Sequence, residues 1–133
     1  MTVKGDSRIL SEIANSLPID TELHYTEACY QSLLRQLFER AGFFVKTEVI
    51  CPYTTPCGIT FGFGRVDLLV ETDEAVFIVE LKANVTANVT AEKQLRRYMK
   101  HYKTNKAKVG FLWRYNSNEK RKRIPILTVE ITD

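Results

Sequence analysis

Three charged side chains interrupt two apolar segments of the sequence, and their types suit a metal site. Asp67 lies within residues 65–70, and Glu80 and Lys82 lie at the end of Ala75–Lys82. Both segments are rich in Val, Ile, Leu and Phe, which predicts two β-strands. A charge in a buried strand is costly unless it is paired or bound to a metal ion. These three residues are therefore the first candidates for a functional site.

The alternation of side chains along a strand predicts how the three charges lie relative to one another. Glu80 and Lys82 are two residues apart and share a face. A short polar linker makes the two strands a hairpin, which would set Asp67 opposite Ile78 and diagonal to Glu80, about 7–8 Å away. Two carboxylates at this spacing can share one divalent cation. A loop of odd length would move Asp67 to the other face, because a slip of one residue inverts every side chain.

A further carboxylate is predicted to come from a helix. Residues 21–41 carry apolar side chains at i, i+3 and i+4, which is typical of a buried helical stripe. Extended backward, the stripe reaches Glu27 and His24. Inward-facing carboxylates are rare without a partner, so Glu27 either joins the acidic site, pairs with a cation such as Arg65, or benefits from the helix N-terminus. His24 either contacts a phosphate or caps the edge of the site.

Basic residues are concentrated in one third of the chain. Residues 1–92 contain 7 Lys or Arg and 13 Asp or Glu, whereas residues 93–123 contain 12 and one. A basic surface beside an acidic site is expected of a protein that binds a polyanionic backbone. The alternative is a solvated helix face followed by a charged loop at 120–123.

A second helix, predicted at about 90–103, carries much of this charge. Gln94 and Tyr98 are four residues apart and face the same way. They either line the site or belong to the surface and the core. The cationic residues on this helix are Lys93, Arg96, Arg97, Lys100 and Lys103.

These segments together resemble the signature of the PD-(D/E)XK nuclease superfamily. Asp67 followed by residues 80–82 after a hairpin resembles its Asp and Glu-x-Lys elements, with Val66 where the superfamily usually has Pro. Residues 24–30 resemble the motif of its GxxExxY-type members, with His in place of Gly. Residues 94–98 match the Gln-x-x-x-Tyr helix that is frequent in the superfamily.

The order of predicted elements agrees with the fold that the resemblance implies. A helix, three strands, a helix and two strands predict an α/β protein with a single mixed β-sheet flanked by helices, the restriction-endonuclease-like αβββαβ core. We expect one domain over residues 1–133, with 1–20 as a lead-in segment that includes a short helix ended by Pro18. Gly62 and Gly64 in the second strand indicate a bend, or a close approach that gives room for a nucleic-acid backbone.

The resemblance implies a metal-dependent nuclease that hydrolyses phosphodiester bonds, with DNA as the favoured substrate and Mg²⁺ or Mn²⁺ as cofactor. The implied catalytic residues are Asp67, Glu80, Lys82, Glu27 and Gln94. The implied metal ligands are Asp67, Glu80, the Leu81 carbonyl and Glu27. The implied substrate-binding residues are Tyr98, Arg96, Arg97, Lys93, Lys100 and His24. A homodimer is compatible with this family, and the main alternative is a non-catalytic nucleic-acid-binding module on the same fold.

Composition limits the setting in which the protein acts. The sequence has no apolar run of the roughly 18 residues needed to span a bilayer and no signal-peptide pattern. Its three cysteines are an odd number, and Cys51 and Cys57 lack the second Cys or His pair of a zinc site. We therefore expect an intracellular protein, in the cytoplasm or nucleus, that does not contact membranes.

Overall fold

The computed structural model describes residues 2–83, 88–115 and 129–132, the stretches 88–89 and 129–132 in their backbone only. Within these residues the chain forms three helices, α1 (Val3–Asn15), α2 (Glu27–Arg40) and α3 (Asn88–His101). It also forms five strands, β1 (Phe44–Thr54), β2 (Thr60–Glu71), β3 (Ala75–Lys82), β4 (Ala107–Arg114) and β5 (Val129–Thr132). The charged loop expected at 120–123 lies outside the described residues.

The strands form one mixed sheet in the order β1-β2-β3-β4-β5. Strands β1, β2 and β3 are antiparallel neighbours, β3 and β4 run parallel, and β5 pairs antiparallel with β4. The parallel pair requires a crossover connection, which α3 provides. Helices α1 and α2 pack on one face of the sheet and α3 packs on the other. This arrangement confirms the predicted α/β fold class.

The central strand β3 is buried on both faces. Phe77 packs in the core beneath α2 with Phe38, and Ile78 packs with Leu95 of α3. A strand covered on both sides reads as a continuous apolar run rather than an alternating one. β3 contains two charged residues, Glu80 and Lys82. Glu80 is buried, with 3% of its surface exposed, whereas Lys82 is half-buried.

Helix α1, which lies in the segment predicted as a lead-in with a short helix, is part of the core. Thr2 caps its start by accepting a hydrogen bond from the Gly5 N–H at 3.0 Å. Leu10 and Ala14 are fully buried, and the Tyr115 hydroxyl donates to the Ala14 carbonyl at 2.9 Å. Of the helices in the described part of the chain, none is long and apolar enough to cross a membrane.

Helix α2 begins later than predicted. Thr26 is its N-cap, and the Thr26 hydroxyl accepts from the Cys29 N–H at 3.3 Å, which satisfies an amide that has no partner within the helix. Residues Thr21–Leu23 form a separate 3₁₀ turn that ends at His24 in a left-handed conformation with φ 52°. The predicted helix was therefore wrong for residues 21–26, because a cap and a left-handed residue interrupt the apolar stripe.

The distal halves of β1 and β2 extend past the region where β2 pairs with β3. Strand β2 pairs with β3 only over Leu68–Glu71, yet it pairs with β1 as far as Thr60. We call the two-stranded part beyond Asp67, residues 49–54 with 60–66, the ribbon. Strands β2 and β3 therefore separate at the position of Asp67 and Glu80, and the ribbon begins there.

Where the ribbon begins, the side chains of β1 and β2 change the face of the sheet on which they lie. Val45 and Leu68 pack on the α2 side, whereas Val49 and Val66 pack on the α3 side. The register of the pairing is the same before and after this point. Glu48 lies between them with φ 53°, a left-handed conformation that is uncommon for a residue with a side chain. Regular alternation would have directed Val49 and Val66 toward α2. Because both strands rotate at this point, these side chains face α3 instead.

Candidate active site

The pairing of β2 with β3 brings two carboxylates together, with a register two residues away from the predicted one. Leu68 pairs with Val79, and the same register continued by one residue sets Asp67 opposite Glu80 rather than opposite Ile78. The hairpin turn is tighter than expected, because the Thr72 hydroxyl accepts from the Ala75 N–H at 3.0 Å. A shift of two residues leaves every side chain on its face. The predicted proximity of the two carboxylates is therefore confirmed, although the predicted diagonal pairing was wrong.

Glu80 carries the strongest electrostatic perturbation of a carboxyl group in the described chain. Burial is the main cause that raises the pKa of Glu80 far above its ordinary value, and the hydrogen bond and the charge of Asp67 raise it further. Lys82 opposes this increase in pKa, and Glu27 adds to it. Two carboxylates in contact in a water-poor site cannot both remain charged without compensation. The site therefore requires a proton or a cation between Asp67 and Glu80.

Asp67 is held from two sides. Its carboxylate oxygen Oδ2 accepts from the Leu81 N–H at 2.8 Å, and its backbone carbonyl accepts from Gln31 Nε2 at 2.7 Å. Gln31 was missed by the sequence interpretation. Its signal was available, because Gln31 lies one helical turn after Glu27 and so faces the same way. The two bonds fix both the backbone and the side chain of Asp67.

Glu27 is exposed, yet it is directed to the end of β3. It is the first residue of α2, and its Oε1 accepts from the Ala83 N–H at 3.2 Å. Its effect on the pKa of Glu80 places it within electrostatic range of the carboxylate pair. His24 does not lie on α2, so the helical stripe that linked it to Glu27 in the sequence does not exist.

The cation at the end of β3 has a neighbour that the sequence interpretation did not single out. Lys82 is half-buried and pairs with Arg114 in the parallel register of β3 and β4. Arg114 is also half-buried, and it lies on the α3 side of β4 because Leu112, two residues before it, packs there. The acidic pair is thus bordered by two cations at adjacent strand ends.

Gln94 and Tyr98 form a chain of hydrogen bonds that ends on β2. Arg97 Nη1 donates to Gln94 Oε1 at 2.5 Å, Gln94 Nε2 donates to the Tyr98 hydroxyl, and that hydroxyl donates to the Arg65 carbonyl at 2.5 Å. Tyr98 is 1% exposed, and burial above all raises its pKa to about 12, with a contribution from the charge of Glu80. Tyr98 therefore belongs to the core, while Gln94 is half-buried beside it.

Gly64 makes this arrangement possible. A side chain at Gly64 would meet the Tyr53 hydroxyl and lie 2.5 Å from Tyr98 Cε1. At Gly62 the nearest atom would be Tyr53 Cδ2, at an ordinary contact distance of 3.6 Å. The close approach predicted from the glycines is therefore real at Gly64. It accommodates two tyrosine rings, so the space beside Gly64 is not open to a nucleic-acid backbone.

The basic residues of α3 are exposed. Arg96 forms an ion pair with Glu92 at 3.1 Å, which is an i, i+4 contact on the helix surface. Lys93 and Lys100 are exposed on the same helix, and Arg97 bonds to Gln94 as described. A surface ion pair of this kind contributes little to stability and leaves Arg96 available to an anion.

The donor groups at the strand ends fit a divalent cation, although no complete ligand set is preformed. Among the described residues, no group of three or more His, Cys, Asp or Glu side chains has the geometry of a metal site. The chemistry is nevertheless that of a hard cation, because Asp67 and Glu80 offer carboxylate oxygens whose mutual repulsion a cation would relieve.

The mixed sheet with helices on both faces, and the acidic pair and lysine where β2 and β3 separate, define a protein of the restriction-endonuclease-like class. A family model for the PD-(D/E)XK nuclease superfamily matches residues 9–124, so the chain belongs to this superfamily. A comparison with curated proteins finds no match. Members of the superfamily are in general phosphodiester hydrolases that act on nucleic acids and typically use divalent metal ions.

Proposed function

We propose that this protein is a metal-dependent nuclease that hydrolyses phosphodiester bonds in DNA, and that it is of the GxxExxY type. The observation that carries this proposal is the enclosed Glu80 in contact with Asp67, with Lys82 two residues further along the same strand. A buried carboxylate beside a second one destabilises a protein unless a proton or a cation offsets their repulsion, and cation binding matches this chemistry.

Mg²⁺ or Mn²⁺ is the proposed cofactor, held by Asp67, Glu80, the Leu81 carbonyl and Glu27. The bound ion would acidify a water molecule and offset the charge that develops on the phosphate. The hydrogen bond from the Leu81 N–H keeps the Asp67 carboxylate in place, and Gln31 keeps its backbone in place. The Asp67 carboxylate is thus held in position by the protein itself.

Lys82 is the proposed group that orients the attacking water. Lys82 places a positive charge at the end of β3, where it opposes the increase in the pKa of Glu80. It therefore stabilises negative charge on the attacking oxygen and does not act as the base itself. Arg114, on the neighbouring strand, supplies a second positive charge for the phosphate. Gln94, which donates a hydrogen bond to the Tyr98 hydroxyl, is the proposed supporting residue on α3.

The exposed cations of α3 are proposed to hold the substrate backbone. Lys93, Arg96, Arg97 and Lys100 are placed on a helix whose Tyr98 lies against the site, and His24 offers a further contact at its edge. A homodimer would let two sites cut two strands. The three cysteines are free thiols, which supports an intracellular location in the cytoplasm or nucleus.

The test is cleavage of labelled single-stranded DNA, duplex DNA, branched DNA and RNA with Mg²⁺, with Mn²⁺ and with EDTA. We expect metal-dependent cleavage that is lost in Asp67→Ala and Lys82→Ala, while binding is largely retained. Asp73→Ala is the matched control, because Asp73 is an exposed residue of the β2–β3 turn. Cleavage by both active-site variants at the wild-type rate would exclude the assignment. Binding without cleavage by the wild-type protein would indicate a non-catalytic module instead.

A further inference from the structure

The ribbon has one covered face and one bare face. On the covered face, Cys51 is fully buried, and Tyr53 and Tyr98 lie over Gly64. The His101 ring of α3 also packs there, with its centroid 5.0 Å from that of Tyr53. The covered face is therefore occupied by α3 and its neighbours.

The bare face is apolar and exposed. Ile50 pairs directly with Arg65, and Pro52 pairs directly with Phe63, so these four side chains form one cross-strand patch. Ile50 is 56% exposed and Phe63 is 62% exposed. Pro52 and Arg65 are exposed as well, and Arg65 is the charged member of the four. An aromatic ring, two apolar groups and a guanidinium thus share a surface that nothing in the described chain covers.

The residues of the bare face lie on β2 shortly before Asp67. Arg65 precedes Asp67 by two residues and Phe63 precedes it by four, which at the rise of an extended strand is about 13 Å. At the minimum spacing of about 3.4 Å between stacked bases, Phe63 lies within about four nucleotides of a phosphate held at Asp67. By distance along the strand, the bare face is therefore within reach of a nucleic-acid strand whose phosphate is held at Asp67.

We propose that the bare face of the ribbon binds unpaired bases of the substrate strand, with Phe63 as the stacking ring, Ile50 and Pro52 as its apolar border and Arg65 as the phosphate contact. This inference rests on the proposed nuclease function and narrows the substrate to nucleic acid that has a single-stranded segment beside the scissile phosphate. Aromatic rings bordered by cations bind single strands because each base offers a stacking face, whereas paired bases in a duplex do not.

The size of the patch favours this ligand over a protein. A stable protein interface buries about 800 Å² on each partner, which takes some 20–30 residues. Four side chains on a two-stranded ribbon fall well short of that number, whereas one base needs only one ring. The positive charge of Arg65 is likewise complementary to a phosphate.

The experiment compares Phe63→Ala with Phe44→Ala. Phe44 is a matched control, because it is 60% exposed on the same sheet but pairs with Glu71 at the end of β1 away from the ribbon. Fluorescence anisotropy in EDTA would measure binding of a single-stranded DNA oligonucleotide, an RNA of the same sequence and a blunt DNA duplex. We expect Phe63→Ala to weaken single-strand binding about 10-fold or more, Phe63→Trp to restore it, and Phe44→Ala to leave it unchanged. Duplex binding should change by less than about 2-fold in all variants.

Other outcomes would overturn the inference. Equal effects of Phe63→Ala and Phe44→Ala, or an equal loss on duplex and single strand, would show that the ring does not stack on unpaired bases. A wild-type dimer in sedimentation that Phe63→Ala dissociates would assign the bare face to contact between two copies. Wild-type protein that binds none of the oligonucleotides would overturn the inference and the proposed function together. Binding that depends on Phe63, without cleavage by the wild type in Mn²⁺, would refute only the nuclease.

Discussion

Replacing Glu80 with Gln should stabilise the metal-free protein at neutral pH while abolishing cleavage. Burial and the adjacent Asp67 raise the pKa of Glu80 above its ordinary value of 4.5. A group whose pKa is higher in the folded state contributes stability that is complete below the unfolded pKa and is lost as the pH rises toward the folded pKa. Gln has nearly the same size and does not titrate, so the variant escapes this loss.

The magnitude follows from the width of the pH window. Each pH unit between the unfolded and the folded pKa changes the free energy of unfolding by at most about 1.4 kcal/mol. From pH 4.5 to pH 7.5 the wild type should therefore lose up to about 4 kcal/mol through Glu80. A Gln amide replaces the proton of Glu80 imperfectly in the hydrogen bond to Asp67, so we expect a difference of about 2–4 kcal/mol. That is a large part of the roughly 5–15 kcal/mol by which such domains are stable.

Urea unfolding in EDTA at pH 5.0 and pH 7.5 would measure the effect. Glu80→Gln should exceed the wild type by about 2–4 kcal/mol at pH 7.5 and by less than about 1 kcal/mol at pH 5.0. Glu74→Gln, a change at an exposed turn residue, should match the wild type at both pH values. Millimolar Mn²⁺ should then stabilise the wild type more than Glu80→Gln, because a ligand stabilises the state that binds it. A Gln variant no more stable than the wild type at pH 7.5 would refute the reasoning.

Three further changes test other parts of the structure. Gly64→Ala should lower the free energy of unfolding by about 1–3 kcal/mol, because the added methyl group would displace two tyrosine rings. Gly62→Ala should be tolerated. Equal stability of the two variants in thermal unfolding would contradict this prediction. Gln31→Met should lower the free energy of unfolding by about 1 kcal/mol, because it removes the hydrogen bond to the Asp67 carbonyl. The variant should also cleave more slowly with little change in the Kd for DNA. An unchanged cleavage rate would argue against a positioning role for Gln31. The double change Lys93→Gln and Lys100→Gln should weaken duplex binding and reduce the slope of log K against log salt by about 2, and an unchanged slope would remove α3 from the interface.

The carboxylate pair could be predicted from the sequence because the face on which a strand side chain lies alternates with a period of two residues. Asp67 and Glu80 share a face for any even error in the loop, so a register error of only two residues kept them neighbours. The start of α2 was harder to predict, because the helical spacing can be extended backward to Glu27 and His24 while a single hydroxyl, that of Thr26, decides where the helix begins. Local capping chemistry therefore overrode the periodic pattern.

Other features of the site depend on contacts between residues that are distant in the chain. The Tyr98 hydroxyl meets the carbonyl of Arg65, and Gln31 meets that of Asp67, through packing that no local pattern encodes. The rotation of β1 and β2 at Glu48 is equally invisible in the sequence, since Glu rarely adopts a positive φ. The bare face of the ribbon follows from that rotation, and it could be recognised only once the strands were placed.

Strand β1 is an edge of the sheet formed by the described strands, and its irregularities bear on aggregation. An edge of 11 residues offers a long row of backbone groups to which another chain can add a strand. Pro52 removes one donor from that row, and the left-handed Glu48 breaks its straight line near the middle. Pro52 and Glu48 should therefore oppose polymerisation of this protein through the edge of β1 in concentrated solution.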